Sequence, residues 1–319
     1  MRTIAISVAA GLVSALLIAA GARANALAIL LFLLAPLPIL IVSLGWTHRA
    51  GLIAAAAGAG ALALPVGGLA ALGFLAWTGL PAWWLAYVAL LGRPGADGAV
   101  EWYPIGRVLA WVAATATLAL AAVVLISAGS FEAFQTQARD AAEAVLRAQT
   151  RTPRPEPLPE IGGRPAEAVA ERFVAVAPLF VGQSFAFILA FHLWAAAKIV
   201  HLSGRLPRPW PHLPATTMPR AVLGVAALGL GLLALGGFPG VLGLALLGAL
   251  MAVFTLQGLA LAHQRSARLR SRLAFLAGLY GLIVISQGAI LIPVAIVGLA
   301  DVAFGLRGAE APTPSPPNI

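Results

Sequence analysis

The side chains that could do chemistry in this chain are few, and nearly all of them interrupt long apolar stretches. One stretch carries Gln183, Ser184, His192 and Lys198, another Thr255 and Gln257, a third ends at Ser286 and Gln287 after Tyr280, and the last carries Asp301. A polar group set among Ala, Leu, Gly and Val is costly to hold away from water, so each one is a functional candidate by default. Asn25, Gln183, Ser184, Ser286 and Gln287 fall toward the same, outer end of their stretches and could ring a small-molecule pocket. Hydrogen bonding between helices is the plainer use of the same groups. Lys198 and Asp301 fall at the other end, where the expected arrangement is an ion pair between them, or Asp301 meeting Arg307 and headgroup water. A carboxylate that couples a proton or ion would stand nearer the midplane with other polar groups around it.

The residues that are missing narrow the chemistry further. There is no cysteine, which removes disulfides, thiolate catalysis and thiolate-bound metals. The five histidines are scattered with no His-x-x-x-His or Glu-x-x-His pair, so no metal site and no cofactor are expected. No Gly-x-Ser-x-Gly elbow, phosphate-binding loop or intramembrane aspartate pair occurs, and no enzymatic activity is expected. Any ATP-driven step belongs to another chain.

The elements that must carry these groups follow from composition. Of 319 residues 61% are apolar and 10% charged, and the mean hydropathy is +0.96, which no water-soluble domain of this length shows. The apolar blocks lack period-2 alternation, so they read as helices. They fall at 4–21, 26–45, 50–64, 66–92, 105–129, 176–200, 220–236, 239–262, 273–286 and 288–306. At about 20 residues per crossing, this predicts an all-α transmembrane bundle of about eight to ten spans. Pro65 with Gly67-Gly68, and Ser286-Gln287-Gly288, are the turns that divide the two longest blocks.

The net charge of +9 is mostly arginine in short loops beside the apolar runs, which is a topology signal and not a nucleic-acid footprint. Placing the N-terminus in the cytoplasm collects Arg49, Arg93, Arg107, Arg205, Arg208, Arg220 and the run "HQRSARLRSR" on the inner side, with both termini inside. The run suits anionic lipid. Lys198 is the only lysine, and with abundant Ala and Gly the composition suits a GC-rich bacterial genome and the inner membrane. Arg2, the apolar core and Ala24-Asn25-Ala26 also fit a signal peptide, but the next apolar run begins at once, so the segment reads as a first span.

Four regions result: a bundle over 1–130, an external piece over 131–175, a second bundle over 176–306 and a disordered cytoplasmic tail over 307–319. In the external piece Phe131, Phe134, Ala138, Ala142, Val145 and Leu146 recur at helical spacing after a capping Ser130, which predicts an amphipathic helix on the outer membrane surface. A proline-rich linker follows it. Pro36, Pro38, Pro81 and Pro293 stand inside apolar runs and predict helix breaks, tolerated in lipid where protein or a wet cavity satisfies the freed backbone. Gly11, Ala15 and Ala19 follow a small-xxx-small rule and are a candidate helix–helix interface.

The stretches "GARANALA", "LLAPLPILIVSLGWTHRAGLIAAAAGAGALAL", "FLAWTGLPAWWLAYVALLGR" and "YGLIVISQGAILIPVAIVGLADVAFGLR" resemble the YybS-like family of predicted membrane proteins. That family is similar in helical pattern to the substrate-capturing S components of energy-coupling-factor transporters. The resemblance implies a bundle that binds a small molecule near the outer face and works with a separate coupling protein and ATPases, with Gly11, Ala15 and Ala19 at the coupling contact. The extra spans and the 131–175 insertion depart from that pattern. Two functions are therefore expected in order: a transporter-like substrate-binding component acting with partners in the bilayer, or a non-transporting scaffold for envelope assembly.

Overall fold

The computed structural model describes residues 1–21, 26–95 and 98–307, so Asn25 and 308–319 of the tail lie outside the described residues. The chain is an all-α bundle. Its helices are α1 (Arg2–Gly21), α2 (Ala26–Leu34), α3 (Pro36–Gly45), α4 (His48–Ala63), α5 (Gly68–Phe74), α6 (Leu80–Ala89), α7 (Ile105–Ala128), α8 (Phe131–Thr150), α9 (Ala166–Leu202), α10 (Ala221–Leu235), α11 (Gly237–Ser266), α12 (Arg272–Ile285) and α13 (Leu291–Phe304). A short hairpin, β1 (Gly92–Pro94) with β2 (Val100–Trp102), joins α6 to α7.

Each of the ten apolar segments is helical, with α2–α3 and α5–α6 each forming one interrupted unit. Among the described residues six units are long and apolar enough to cross a membrane: α1, α2–α3, α5–α6, α7, α9 and α11. The last two helices depart from the expected crossings. α12 and α13 have 14 residues each, about 21 Å at about 1.5 Å per residue. Tyr280 of α12 hydrogen-bonds His263 near the end of α11 at 2.9 Å, Thr255 Oγ1 donates to the Leu291 carbonyl at 3.4 Å, and Arg307 returns to Gln264 at 2.9 Å. The pair therefore enters and leaves beside the C-terminal end of α11. Its turn stands near Thr255, about 16 Å up that helix, and Ser286 and Gln287 lie in that turn.

The prolines have three different outcomes. Between α2 and α3 the chain breaks at Ala35, whose N–H bonds Phe32 in a tightened turn at 3.1 Å; Pro36 and Pro38 then occupy the first turn of α3, where no N–H is required. Pro81 cannot donate to Trp77, and just before it the chain takes a π-helical segment, Leu75–Gly79, with the Leu80 N–H reaching back to Leu75. Pro293 breaks nothing, because it sits in the first turn of α13. The helix α9 runs 37 residues through Pro178 without interruption.

Apolar burial does not pull helices together in lipid, so close backbone packing has to. The helix α11 shows how: a Cβ on Gly248 would stand 1.9 Å from the Leu179 carbonyl of α9, on Gly258 2.2 Å from Val294 of α13, and on Gly243 2.6 Å from Gly229 of α10. Gly182 and Gly298 return the first two contacts from the facing helices. The N-terminal half repeats the device, with Gly11 at 2.1 Å from Ala54 of α4. The Gly11 and Ala15 stripe is thus spent inside the chain, and Ala19 is exposed.

Ser130 caps α8 by accepting from the Ala133 N–H at 3.1 Å. Instead of facing lipid alone, the apolar side of α8 buries Ala142 and Leu146, and Phe131 and Phe134 pack around Phe238 at the start of α11. The long N-terminal part of α9 is the surface that α8 covers.

Gly248→Val should lower the thermal midpoint of the detergent-purified protein, the overpacking costing about 1–3 kcal/mol or more. Gly281→Ala in α12, where a Cβ meets nothing within 4 Å, should leave the midpoint unchanged. Equal midpoints for the two variants would refute the hub role of α11.

Candidate functional site

A cavity of about 720 Å³ lies between α7, α9 and α11 and is roofed by the segment 203–220. Its size falls within the range of about 300–1,000 Å³ typical of ligand sites. Val108 and Val112 line one wall, Ala190 and Ala197 a second, and Leu256 and Leu259 a third. The residues of α9 that line it run from Phe187 to Ala197, about 15 Å of helix, so the cavity occupies roughly one half of a bilayer core about 30 Å thick.

The roof cannot be α-helical, and its one regular piece is a short 3-10 turn, Leu213–Ala215. The segment carries Pro207, Pro209, Pro211, Pro214 and Pro219, which remove backbone donors and hold their neighbours extended. It is pinned at Gly106, where a Cβ would stand 1.8 Å from the Thr217 carbonyl. The contacting roof residues include Arg208, Trp210 and Thr216. Arg208 Nη1 donates to the Ala89 carbonyl at the end of α6 at 2.6 Å, and Nη2 donates to Tyr103 at 3.4 Å. Its Nε is buried with no partner. Burial pushes the guanidinium pKa down from its ordinary value.

Further basic groups stand at the same end. Lys198 lies 4.9 Å from the Trp210 ring, Arg205 4.5 Å from Trp46, and His263 hydrogen-bonds Tyr280 at 2.9 Å. From Lys198 to Arg220 there is no carboxylate.

A buried polar cluster fixes the roof from the other side. Asp301 Oδ2 accepts from Gln257 Nε2 at 2.6 Å and from Arg307 Nε at 2.8 Å. Arg307 Nη1 also donates to Gln264 at 2.9 Å and to the Pro214 carbonyl of the roof at 2.6 Å. The expected Lys198–Asp301 pair is not formed: Arg307 holds Asp301, and Lys198 rests on Trp210. Arg307 follows Asp301 by six residues, just beyond the end of α13.

A smaller cavity, about 290 Å³, lies where the α2–α3 break, the π segment and α9 meet. Ser184, Thr78 and His192 are its polar lining. Ser184 is the one residue of the expected polar ring that lines either cavity. Gln183 is half-buried on α9, while Ser286 and Gln287 close the α12–α13 turn, Ser286 Oγ accepting from the Ile290 N–H at 3.2 Å and Gln287 taking a left-handed φ of 52°. The ring is therefore not assembled among the described residues. The cavity-lining residues that sequence reasoning passed over are Arg208 and Trp210. Their signal was an arginine and a tryptophan set between prolines in "LPRPWP".

These features define a multi-pass α-helical membrane protein with an apolar cavity in one half of its bundle. The chain belongs to the predicted membrane protein family DUF2232, which matches residues 12–302. Comparison with curated proteins and with solved structures gives no match.

Removing one partner of the buried pair, as in Arg307→Gln, should destabilise the protein by about 3–5 kcal/mol, since it strands Asp301 without its counter-charge. Adding Asp301→Asn to that variant should recover part of the loss. Chemical unfolding of the two variants and the parent measures both; strict additivity would show that the groups do not act as a pair.

Proposed function

We propose that this membrane protein is a transporter-like binding component that takes an apolar or amphipathic molecule from the bilayer and passes it on with partner proteins. The observation that carries the reading is the cavity of about 720 Å³ between α7, α9 and α11. Its walls are aliphatic and aromatic, which suits a lipid-soluble occupant better than a sugar or amino acid.

A way in from the bilayer supports the same reading. Phe191 and Trp194 on α9 and Tyr280 on α12 line the cavity and are 59%, 46% and 43% exposed, so the lining reaches the outer surface of the bundle between those helices. The helix α12 at this edge buries none of its residues, which leaves it free to move aside. The excess of arginine at the roof end supports a cytoplasmic-leaflet position in a bacterial inner membrane. With no phosphate-binding loop in the chain, energy for release comes from another protein.

Filling the cavity tests this reading. Ala190→Phe and Ala260→Phe should abolish the thermal stabilisation that long-chain amphiphiles give the parent, which rises with the logarithm of ligand concentration over Kd. Native mass spectrometry of the same samples should show the bound species lost. Unchanged binding in both variants would place the ligand elsewhere and sink the proposal.

A further inference from the structure

We propose that the occupant of the large cavity is an anionic amphiphile, a molecule with a single phosphate or carboxylate headgroup held at Arg208 and an apolar chain lying along α7, α9 and α11. This rests on the reading of the cavity as a binding site and adds the chemistry of what it selects.

The charge at Arg208 is unbalanced. Arg208 lines the cavity, yet its partners among the described residues are two backbone carbonyls and the Trp102 ring, 5.9 Å from the guanidinium, and no carboxylate. The Ala89 carbonyl belongs to the C-terminal end of α6, whose helix dipole offsets roughly half an elementary charge at most. The guanidinium has five N–H donors, and the buried Nε has no partner. Arg208 is half-buried, and a charge partly withdrawn from water and short of partners is stabilised when an opposite charge joins it.

Among the described residues the surroundings supply no protein candidate for that charge. Asp301 is held by Gln257 and Arg307, and Glu101 is held by Arg93 at 2.7 Å on the exposed hairpin. The other ionisable groups at this end, Lys198, Arg205 and His263, are all basic. Arg107 lies 5.8 Å from the Tyr103 ring, close to the carbonyl that Arg208 binds. The field at the roof is positive, so a cationic headgroup is repelled, and a neutral one can accept a hydrogen bond but leaves the charge uncompensated.

Shape agrees with charge. Polar lining gathers at the roof, in Arg208, Thr216 and His263, while the walls along Val112, Ala190 and Phe187 are apolar. An arginine fork suits phosphate or carboxylate oxygens through charge-assisted hydrogen bonds. One end of the ligand is thus read by charge and the rest by apolar contact.

The test uses the full chain in phosphatidylcholine nanodiscs, with dodecyl phosphate, dodecanoate, dodecanol and inorganic phosphate as probes, read by thermal midpoint and native mass spectrometry. Both acidic amphiphiles should bind about tenfold or more tighter than dodecanol, and inorganic phosphate should give no shift. Arg208→Gln should erase the preference while dodecanol still binds, and Arg208→Lys, which keeps the charge, should restore part of it. Because Arg208 also caps α6, the parent alone is decisive should the glutamine variant fail to fold.

Equal binding of dodecanol and dodecyl phosphate by the parent would overturn the inference and leave the binding reading standing. No binding by any of the three chains would overturn the binding reading itself. A shift from inorganic phosphate as large as that from dodecyl phosphate would make the site a plain anion site, which also overturns it. Displacement of dodecyl phosphate by phosphatidate built into the disc would identify a bilayer lipid as the source, and failure to displace it a free single-chain acid; both support the acidic headgroup.

Discussion

The backbone-to-backbone approach of α11 to its neighbours is the constraint on which the rest of the molecule depends. Lipid tails are as apolar as leucine, so nothing but packing and hydrogen bonding holds these helices side by side. Gly248 and Gly182 bring α11 and α9 together, and Gly258 and Gly298 do the same for α11 and α13. The cavity starts where that approach ends. Eight residues below the first pair, about 12 Å along each axis, the facing positions have become Leu256 and Ala190, and both line open space. A bundle seamed by glycine at one level and spread at another makes a pocket without any loss of helix.

The interrupted helices serve a different end. At the α2–α3 break Ser14 of α1 donates to the Ala35 carbonyl at 2.6 Å, and the His192 ring of α9 faces the carbonyl of Leu33. Protein groups therefore meet the backbone that the prolines expose, as the absence of water demands. The π segment before Pro81 brings Trp77 onto Phe185 of α9, the rings stacked 3.9 Å apart. The prolines thus organise the contact of the N-terminal helices with α9 and the small cavity beside it, and the large cavity is built without them.

The helices were legible because their ends are written in local signals. Gly67, with a φ of 117°, and the Ser286-Gln287-Gly288 turn divide the long blocks where turn residues stand. What local signals could not show was depth. That α12 and α13 run alongside only the last part of α11 follows from Thr255 meeting Leu291 and Gln264 meeting Arg307, contacts across 36 and 43 residues. The site was missed for a related reason. A search for polar groups inside apolar runs finds Gln183 and Gln287, whereas the cavity is mostly apolar side chains contributed by separate helices. The arginine that lines it, Arg208, sits in a loop whose charge already had an explanation in topology. Gln257 and Asp301 were each conspicuous, but nothing in the sequence joins residues 44 apart.

The Asp301–Arg307 pair shows how the two halves of this argument meet. Taking both charges out of water is expensive, and an apolar pair of the same volume could be as stable, so stability alone does not account for it. Its geometry does more. Arg307 follows α13, reaches Gln264 on α11, and donates to the Pro214 carbonyl, and Pro214 lines the large cavity. A second arginine, Arg265, donates to the Leu306 carbonyl and holds the same end of α13. A proline-rich roof has few backbone donors with which to fix itself, so side chains from outside must place it. Arg208 does so from within the segment, Gly106 by contact beneath it, and Arg307 from the helix end beside it. Movement of α13 would therefore be felt at the roof through one hydrogen bond, and a ligand that draws on Arg208 would be felt at α6 through another.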